Sequence, residues 1–200
     1  MSLRLTKNEL RNQQVRLHQF ERYLPTLRLK KALLQFEVIA AQMEIDRLQD
    51  ETHIRWTEVE TIAPMIADKS CIDLVQYADV LHVKKHYENI AGVEIPIFES
   101  IVFPEPDYFL FDTPPATDAA LEALRDWVIA KEKISIAEEK KRALEKELRD
   151  VSTRVNLFEK VLIPRALANI TKIKIFLGDQ QLAAVAQAKV AKKKIQEKSA

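Results

Sequence analysis

Residues 3–48 read LRLTKNELRNQQVRLHQFERYLPTLRLKKALLQFEVIAAQMEIDRL, and this stretch decides the fold. Leu3, Leu10, Leu17, Leu24, Val38 and Ile45 fall on one row of a heptad, and Phe20, Leu27, Leu34, Ala41 and Leu48 fall on the other. Only Gln13 and Lys31 interrupt the seam. Apolar residues spaced alternately three and four apart line one face of a helix, and about six heptads of them need a helical partner over roughly 60–70 Å. Pro25 is the local conflict: it removes a ladder hydrogen bond and clashes one turn back, which predicts a kink or break around Tyr23–Pro25 with the direction kept.

A second seam runs through the C-terminal part. Thr117 or Asp118 reads as an N-cap, and from Leu121 to Ile195 only Pro164 and Gly178 are breakers. Ile134, Ala137, Leu144, Leu148, Val151, Val155, Phe158 and Leu162 keep the heptad; Ala166, Ile170, Ile173 and Leu177 then resume it shifted by one position. Such a shift resembles a stutter, which straightens a supercoil locally. Two long stripes in one chain predict an antiparallel hairpin of helices, the alternative being a coiled coil between chains. The seam is expected to be carried by Leu10, Leu17, Leu24, Leu34, Val38 and Ile45 against Leu144, Leu148, Val151, Val155, Phe158 and Leu162.

Between the seams the character changes. Over residues 71–112, Val80, His82, Ile90, Val93, Ile95, Ile97, Ile101, Val102, Phe103, Tyr108, Phe109 and Phe111 concentrate β-branched and aromatic side chains, and Asn89–Gly92 offers a turn. This predicts a β-hairpin whose second strand is interrupted or edged by Pro96, Pro104 and Pro106, with Pro114-Pro115 closing the insert. A two-stranded ribbon is marginal in water, so it must lean on the helices or on another protein. The expected fold is mostly α: a long antiparallel two-helix coiled coil around a small insert of a β-hairpin and short helices, organised as 1–70, 71–116 and 117–200.

Composition excludes much else. The chain has 200 residues and only two glycines, Gly92 and Gly178, too few for a glycine-rich phosphate loop, and it shows no Ser- or Cys-centred nucleophile motif. No apolar run approaches the roughly 18 residues of a membrane span, and Met1–Leu10 lacks a basic-then-apolar leader, so a soluble intracellular protein is expected. Cys71 is the single cysteine, which fits a reducing compartment. Cys71, Asp73, His82 and His86 do not match a zinc spacing and read as surface or packing residues. Pairs such as Glu138 with Glu139, or Glu145 with Glu147, read as solvated helix faces. Lys189, Lys192, Lys193, Lys194 and Lys198 read as a basic helix end more readily than as a nucleic-acid site, since no aromatic set lies among them.

A net charge of +1 hides a segregation. Residues 1–50 carry nine Lys/Arg against six Asp/Glu, residues 51–120 four against thirteen, and residues 121–200 eighteen against eleven. Basic ends and an acidic middle suit different partner surfaces.

Both ends also resemble a known family. Leu5-Thr6-Lys7-Asn8-Glu9-Leu10 and the run Leu27-Arg28-Leu29-Lys30-Lys31-Ala32-Leu33-Leu34-Gln35-Phe36-Glu37 look like the opening helix of the D subunit of V/A-type rotary ATPases. Arg154-Val155-Asn156 and Ile163-Pro164-Arg165 match that family's pattern Arg-Val-Asn-x-x-Glu-x-x-x-Ile-Pro-Arg, and Asn89-Ile90-Ala91-Gly92-Val93-Glu94-Ile95-Pro96 looks like its short hairpin segment. The resemblance implies a non-catalytic rotor shaft without nucleotide or cofactor, cytoplasmic and peripheral to the membrane. It further implies partners in the A and B subunits of a catalytic hexamer, the small F subunit, and the funnel-like C/d subunit above the membrane ring. On that footing Arg4, Lys7, Arg11, Lys189, Lys192, Lys193 and Lys194 are expected to face hexamer carboxylates as a bearing of many weak charges, and Val93, Ile95 and Ile97, taken as exposed, to meet the small stalk partner. A prefoldin-like chaperone and the stalk protein of an export ATPase are the competing readings. The first has shorter chains, and the second lacks the middle insert.

Overall fold

The computed structural model describes residues 3–66, 74–107 and 116–198. Its elements are helix α1 (Lys7–Ile66), the short helix α2 (Leu74–Ala78), strands β1 (His82–Ile90) and β2 (Val93–Val102), helix α3 (Thr117–Leu157), a π turn (Phe158–Leu162) and helix α4 (Ile163–Lys198). Cys71, Asp73, Tyr108, Phe109, Phe111 and Pro114-Pro115, which the sequence brought forward, lie outside the described residues. The chain divides into two compact units, one of residues 1–31 with 150–200 and one of residues 32–149.

In the unit of residues 32–149, α1 and α3 run antiparallel. Residue pairs between them descend on one helix as they climb on the other: Gln42 with Lys141, Glu44 with Lys140, and Trp56 with Trp127. Leu34, Ala41 and Ile45 of α1 and Ala130, Ile136, Ala137 and Leu144 of α3 are buried. Small alanines among large aliphatics let the two backbones approach, and the larger side chains fill what remains. Lys140 and Lys141 reach the partner helix at 2.8 and 2.5 Å, flanking the apolar stripe.

The insert is held to this pair by α2 and by one arginine. Leu74 and Ala78 bury themselves with Ala120 and Leu121, with Ile62, Tyr77 and Leu124 packed around them. Arg125 donates from Nε and Nη2 to the Tyr77 carbonyl at 3.1 and 3.0 Å and from Nη2 to the Pro104 carbonyl at 2.6 Å. Its guanidinium also lies 5.1 Å from the Phe103 ring centre. β1 and β2 pair antiparallel from Ile90↔Val93 to His82↔Val102, with an irregularity between Lys84 and Lys85 that leaves Glu99 unmatched. The turn residues Ala91 and Gly92 have φ of 53° and 82°, and the Gly92 N–H donates to Asn89 Oδ1 at 2.9 Å. Two successive positive φ values suit the right-handed twist of a two-residue hairpin, at a steric cost for Ala91 of about 1–2 kcal/mol. The ribbon leans on α3 through Lys85 and Glu139 at 2.8 Å, and through Lys133 over Phe98.

Pro96 departs from expectation: it is buried inside β2, opposite Tyr87, and does not interrupt the strand. Counting from the hydrogen-bonded Ile90–Val93 pair that closes the turn, Pro96 occupies a non-hydrogen-bonded position, so its missing N–H would have pointed away from β1.

In the unit of residues 1–31 and 150–200, the start of α1 packs on the end of α3 and on α4. Val151, Val155, Ala166, Ile170 and Ile173 are buried there, and Phe20 meets Phe158 edge-to-face at 5.4 Å. Gln13, which breaks the apolar row, is 7% exposed and donates from Nε2 to Glu9 Oε1 at 2.8 Å. One expectation is narrowed and one needs correction. Of the kink or break expected at Tyr23–Pro25, the break is absent, since α1 is continuous from Lys7 to Ile66. Pro25 and Glu21, whose carbonyl the proline leaves without a helical donor, are both exposed, which leaves that carbonyl open to solvent. Thr117 is not an N-cap: it lies inside the first turn of α3, 3% exposed, and its buried Oγ1 has no hydrogen-bond partner among the described residues.

The one-position shift of the second seam has a structural cause. At Phe158–Leu162 the helix widens to a π turn, and the Ile163 N–H donates five residues back to the Phe158 carbonyl. A π turn holds one residue more than an α turn, so the extra residue is absorbed and Ala166, Ile170 and Ile173 return to the covered face. Pro164 follows immediately, where it has no N–H to give and where the wider turn relieves its clash with the preceding carbonyl.

Candidate functional site

The two units differ most in charge. Residues 1–31 with 150–200 hold eighteen Lys/Arg against six Asp/Glu, a net +12, whereas residues 32–149 hold thirteen against twenty-four, a net −11. Arg4, Lys7, Arg11, Lys189, Lys192, Lys193 and Lys194 all fall in the basic unit, and all are exposed. Lys193 makes one i,i+4 contact with Glu197 at 3.8 Å, a solvent-screened pair of small worth.

The basic unit also holds a groove of about 680 Å³ between α1 and α4, lined by Arg4, Glu9, Gln13 and Arg16 on one side and by Arg165 and Asn169 on the other, over a floor of Leu3, Phe20, Leu162 and Ala166. Next to it Arg28 closes both Nε and Nη2 on Glu159 Oε1, at 2.6 and 2.5 Å. That pair ties the Leu27–Glu37 stretch to the Arg154–Arg165 stretch, two segments singled out separately in the sequence.

In the acidic unit, Ile95 is a correction: it is 1% exposed and is part of the chain's own core, not an exposed contact. Val93, Ile95 and Ile97 share one face of β2, and the chain itself covers the middle of that face. Val93 and Ile97 are half-buried, while Leu81, Tyr87 and Val102 are exposed, the first two at 64% each. His82 and His86 are exposed on β1, and His86 approaches Glu88 at 3.5 Å. Among the described residues no group of three or more His, Cys, Asp or Glu could hold a metal ion.

Sequence reasoning missed the tryptophan pair. Trp56 and Trp127 stack tilted at 5.0 Å, Lys131 lies over Trp127, and Trp56 Nε1 donates to Glu60 Oε1 at 2.7 Å. With Gln49, Thr52, His53 and Ile134 they line a recess of about 350 Å³. Arg55 beside it has its pKa raised, first by the hydrogen bond to Glu58 and then by the charges of Glu58 and Asp126. The chain's only two tryptophans were the available signal, but no spacing rule joins positions 71 residues apart.

A family model for the ATP synthase D subunit matches residues 9–193. The chain belongs to the ATP synthase D-subunit family. Similar relatives include the V-type ATP synthase D subunit of Chlamydia abortus, 43% identical over 98% of this chain and 95% of the relative. Those of Chlamydia trachomatis serovar L2 and Chlamydia pneumoniae are 41% and 38% identical over the same share of this chain, covering 97% and 94% of their own lengths. In this member of the D-subunit family the matched span takes in both helical arms and the hairpin. Among its described residues no helix is long and apolar enough to cross a membrane.

Proposed function

We propose that this member of the ATP synthase D-subunit family is the non-catalytic central shaft of a V/A-type rotary ATP synthase, cytoplasmic and peripheral to the membrane. It couples ATP synthesis or hydrolysis in a hexamer of A and B subunits to proton or sodium translocation through the membrane ring. Family membership supports the complex. The single observation that carries the shaft reading is the pairing of long antiparallel helices whose basic and acidic units are separated along the chain.

A stiff and asymmetric helical pair has a different face for each catalytic interface of a hexamer. A face that contacts one conformation of a site better than another shifts that site's population, so rotation of the shaft moves each site through its states. The basic unit sits in the hexamer, where Arg4, Lys7, Arg11, Lys189, Lys192, Lys193 and Lys194 meet carboxylates as an exchangeable bearing: long flexible cations trade partners with little barrier. The acidic unit holds the small F subunit through the hairpin, with Val93 and Ile97 at the contact and Ile95 supporting them from the core, and rests on the funnel-like C/d subunit.

Co-expression with the A and B subunits tests this. One copy of the chain per hexamer with a raised hydrolysis rate is the expected outcome; a chain that stays outside the hexamer refutes the reading.

A further inference from the structure

We propose that the groove of the basic unit receives an acidic segment of a partner protein, a short stretch with carboxylates flanking an apolar side chain, on the inner wall of the catalytic hexamer. The inference rests on the shaft reading and adds to it a specific docking point distinct from the diffuse lysine bearing.

The charge of the groove is uncompensated. Arg4, Arg16 and Arg165 converge on it with no ion pair or hydrogen bond among the described residues, and its one carboxylate, Glu9, already accepts from Gln13. Three guanidinium groups facing one engaged carboxylate leave a local excess of two positive charges. A guanidinium fork matches a carboxylate in two parallel hydrogen bonds, and Gln13 and Asn169 add amide groups at the same opening.

Its floor selects the kind of anion. Leu3, Phe20, Leu162 and Ala166 present apolar surface beneath the arginines, and Phe20 is held in place by its edge-to-face contact with Phe158. Inorganic phosphate would satisfy the rim and leave that floor wet. A peptide segment carrying an aliphatic or aromatic side chain between carboxylates satisfies both, and about 680 Å³ accommodates several side chains. The position of Arg165 follows from the local backbone. The π turn carries the extra residue, so Ala166 faces inward while Arg165 stays on the rim, one turn from Asn169.

The test measures binding of the full chain to an assembled A/B hexamer. Arg16→Gln with Arg165→Gln is compared with Arg22→Gln plus Lys172→Gln, which removes the same charge from exposed positions of the same unit. With folding verified by circular dichroism, the groove variant is expected to bind about tenfold or more weakly, and the charge-matched control within about threefold of the parent. Arg16→Lys with Arg165→Lys keeps charge without the fork and is expected to fall between. Equal weakening by groove variant and control overturns the groove and leaves the shaft standing. A parent chain that does not bind the hexamer overturns both. Self-association of the free chain that the groove variant abolishes assigns the groove to a second copy and overturns the proposal.

Discussion

Leu144 is fully buried and Leu29, also on a long helix, is 72% exposed. Truncating a buried leucine loses its transfer free energy and leaves a cavity, so Leu144→Ala is expected to lower unfolding free energy by about 2–5 kcal/mol in a urea titration. Leu29→Ala is expected to change it by under about 0.5 kcal/mol. Thr117 offers the reverse case: its hydroxyl is buried and unpartnered among the described residues, and Thr117→Val removes that group at nearly constant shape. A stabilisation of about 1 kcal/mol is expected, seen as a rise in thermal midpoint; a fall of that size shows that the hydroxyl does bond. The sequence could not distinguish this threonine from a cap, because both readings need a Thr at a helix start and differ only in the backbone state of one residue. Ile95 was misread for a related reason: alternation shows that one face of a strand is apolar but not what covers it.

At the scale of elements, both seams were readable because heptad spacing is a local property of the chain. Their shift by one position was readable too, but not its form. A one-residue skip can be spread over several turns of a supercoil or held in a single π turn, and the choice depends on Pro164 and on the packing of Phe158 against Phe20. The π turn makes an unusual deletion tolerable. Removing exposed Lys160 leaves Ala166, Ile170 and Ile173 on the heptad continued from Val155 and Phe158, so the turn closes to an α turn and the seam survives. Helix content by circular dichroism is expected to stay unchanged, with the thermal midpoint falling by about 4–8 °C because Pro164 regains its clash one turn back when the turn narrows. Deleting Lys146, equally exposed, rotates Leu148, Val151 and Val155 off the seam and is expected to lower the midpoint by more than about 10 °C. Pro25 teaches the complementary lesson. A proline on the wet side of a packed helix loses one hydrogen bond and leaves the freed carbonyl open to solvent, so the breaker rule gives way to tertiary packing.

For the whole molecule, the decisive quantity is the split of charge, +12 in one unit and −11 in the other, under a net charge of only +1. Sequence counting found its sign pattern; the groove and the tryptophan recess were out of reach because their members come from segments far apart in the chain. If the lysines of α4 serve as a bearing, replacing Lys192, Lys193 and Lys194 with Glu leaves the melting temperature of the free chain within about 1–2 °C, since all three are exposed. Hexamer binding is expected to weaken several-fold and to lose part of its ionic-strength dependence, measured by titration at two salt concentrations.

Every residue from Asp179 to Glu197 is exposed although all belong to α4, and a Cβ placed on Gly178 would touch nothing. Some nineteen residues without a packed face sit near the length at which a solitary helix melts and reforms on its own in water. Amide protons along this tail should therefore trade with deuterium quickly in the free chain and slow sharply once a cavity closes around it, making the last five turns a built-in gauge of whether the molecule has found its housing.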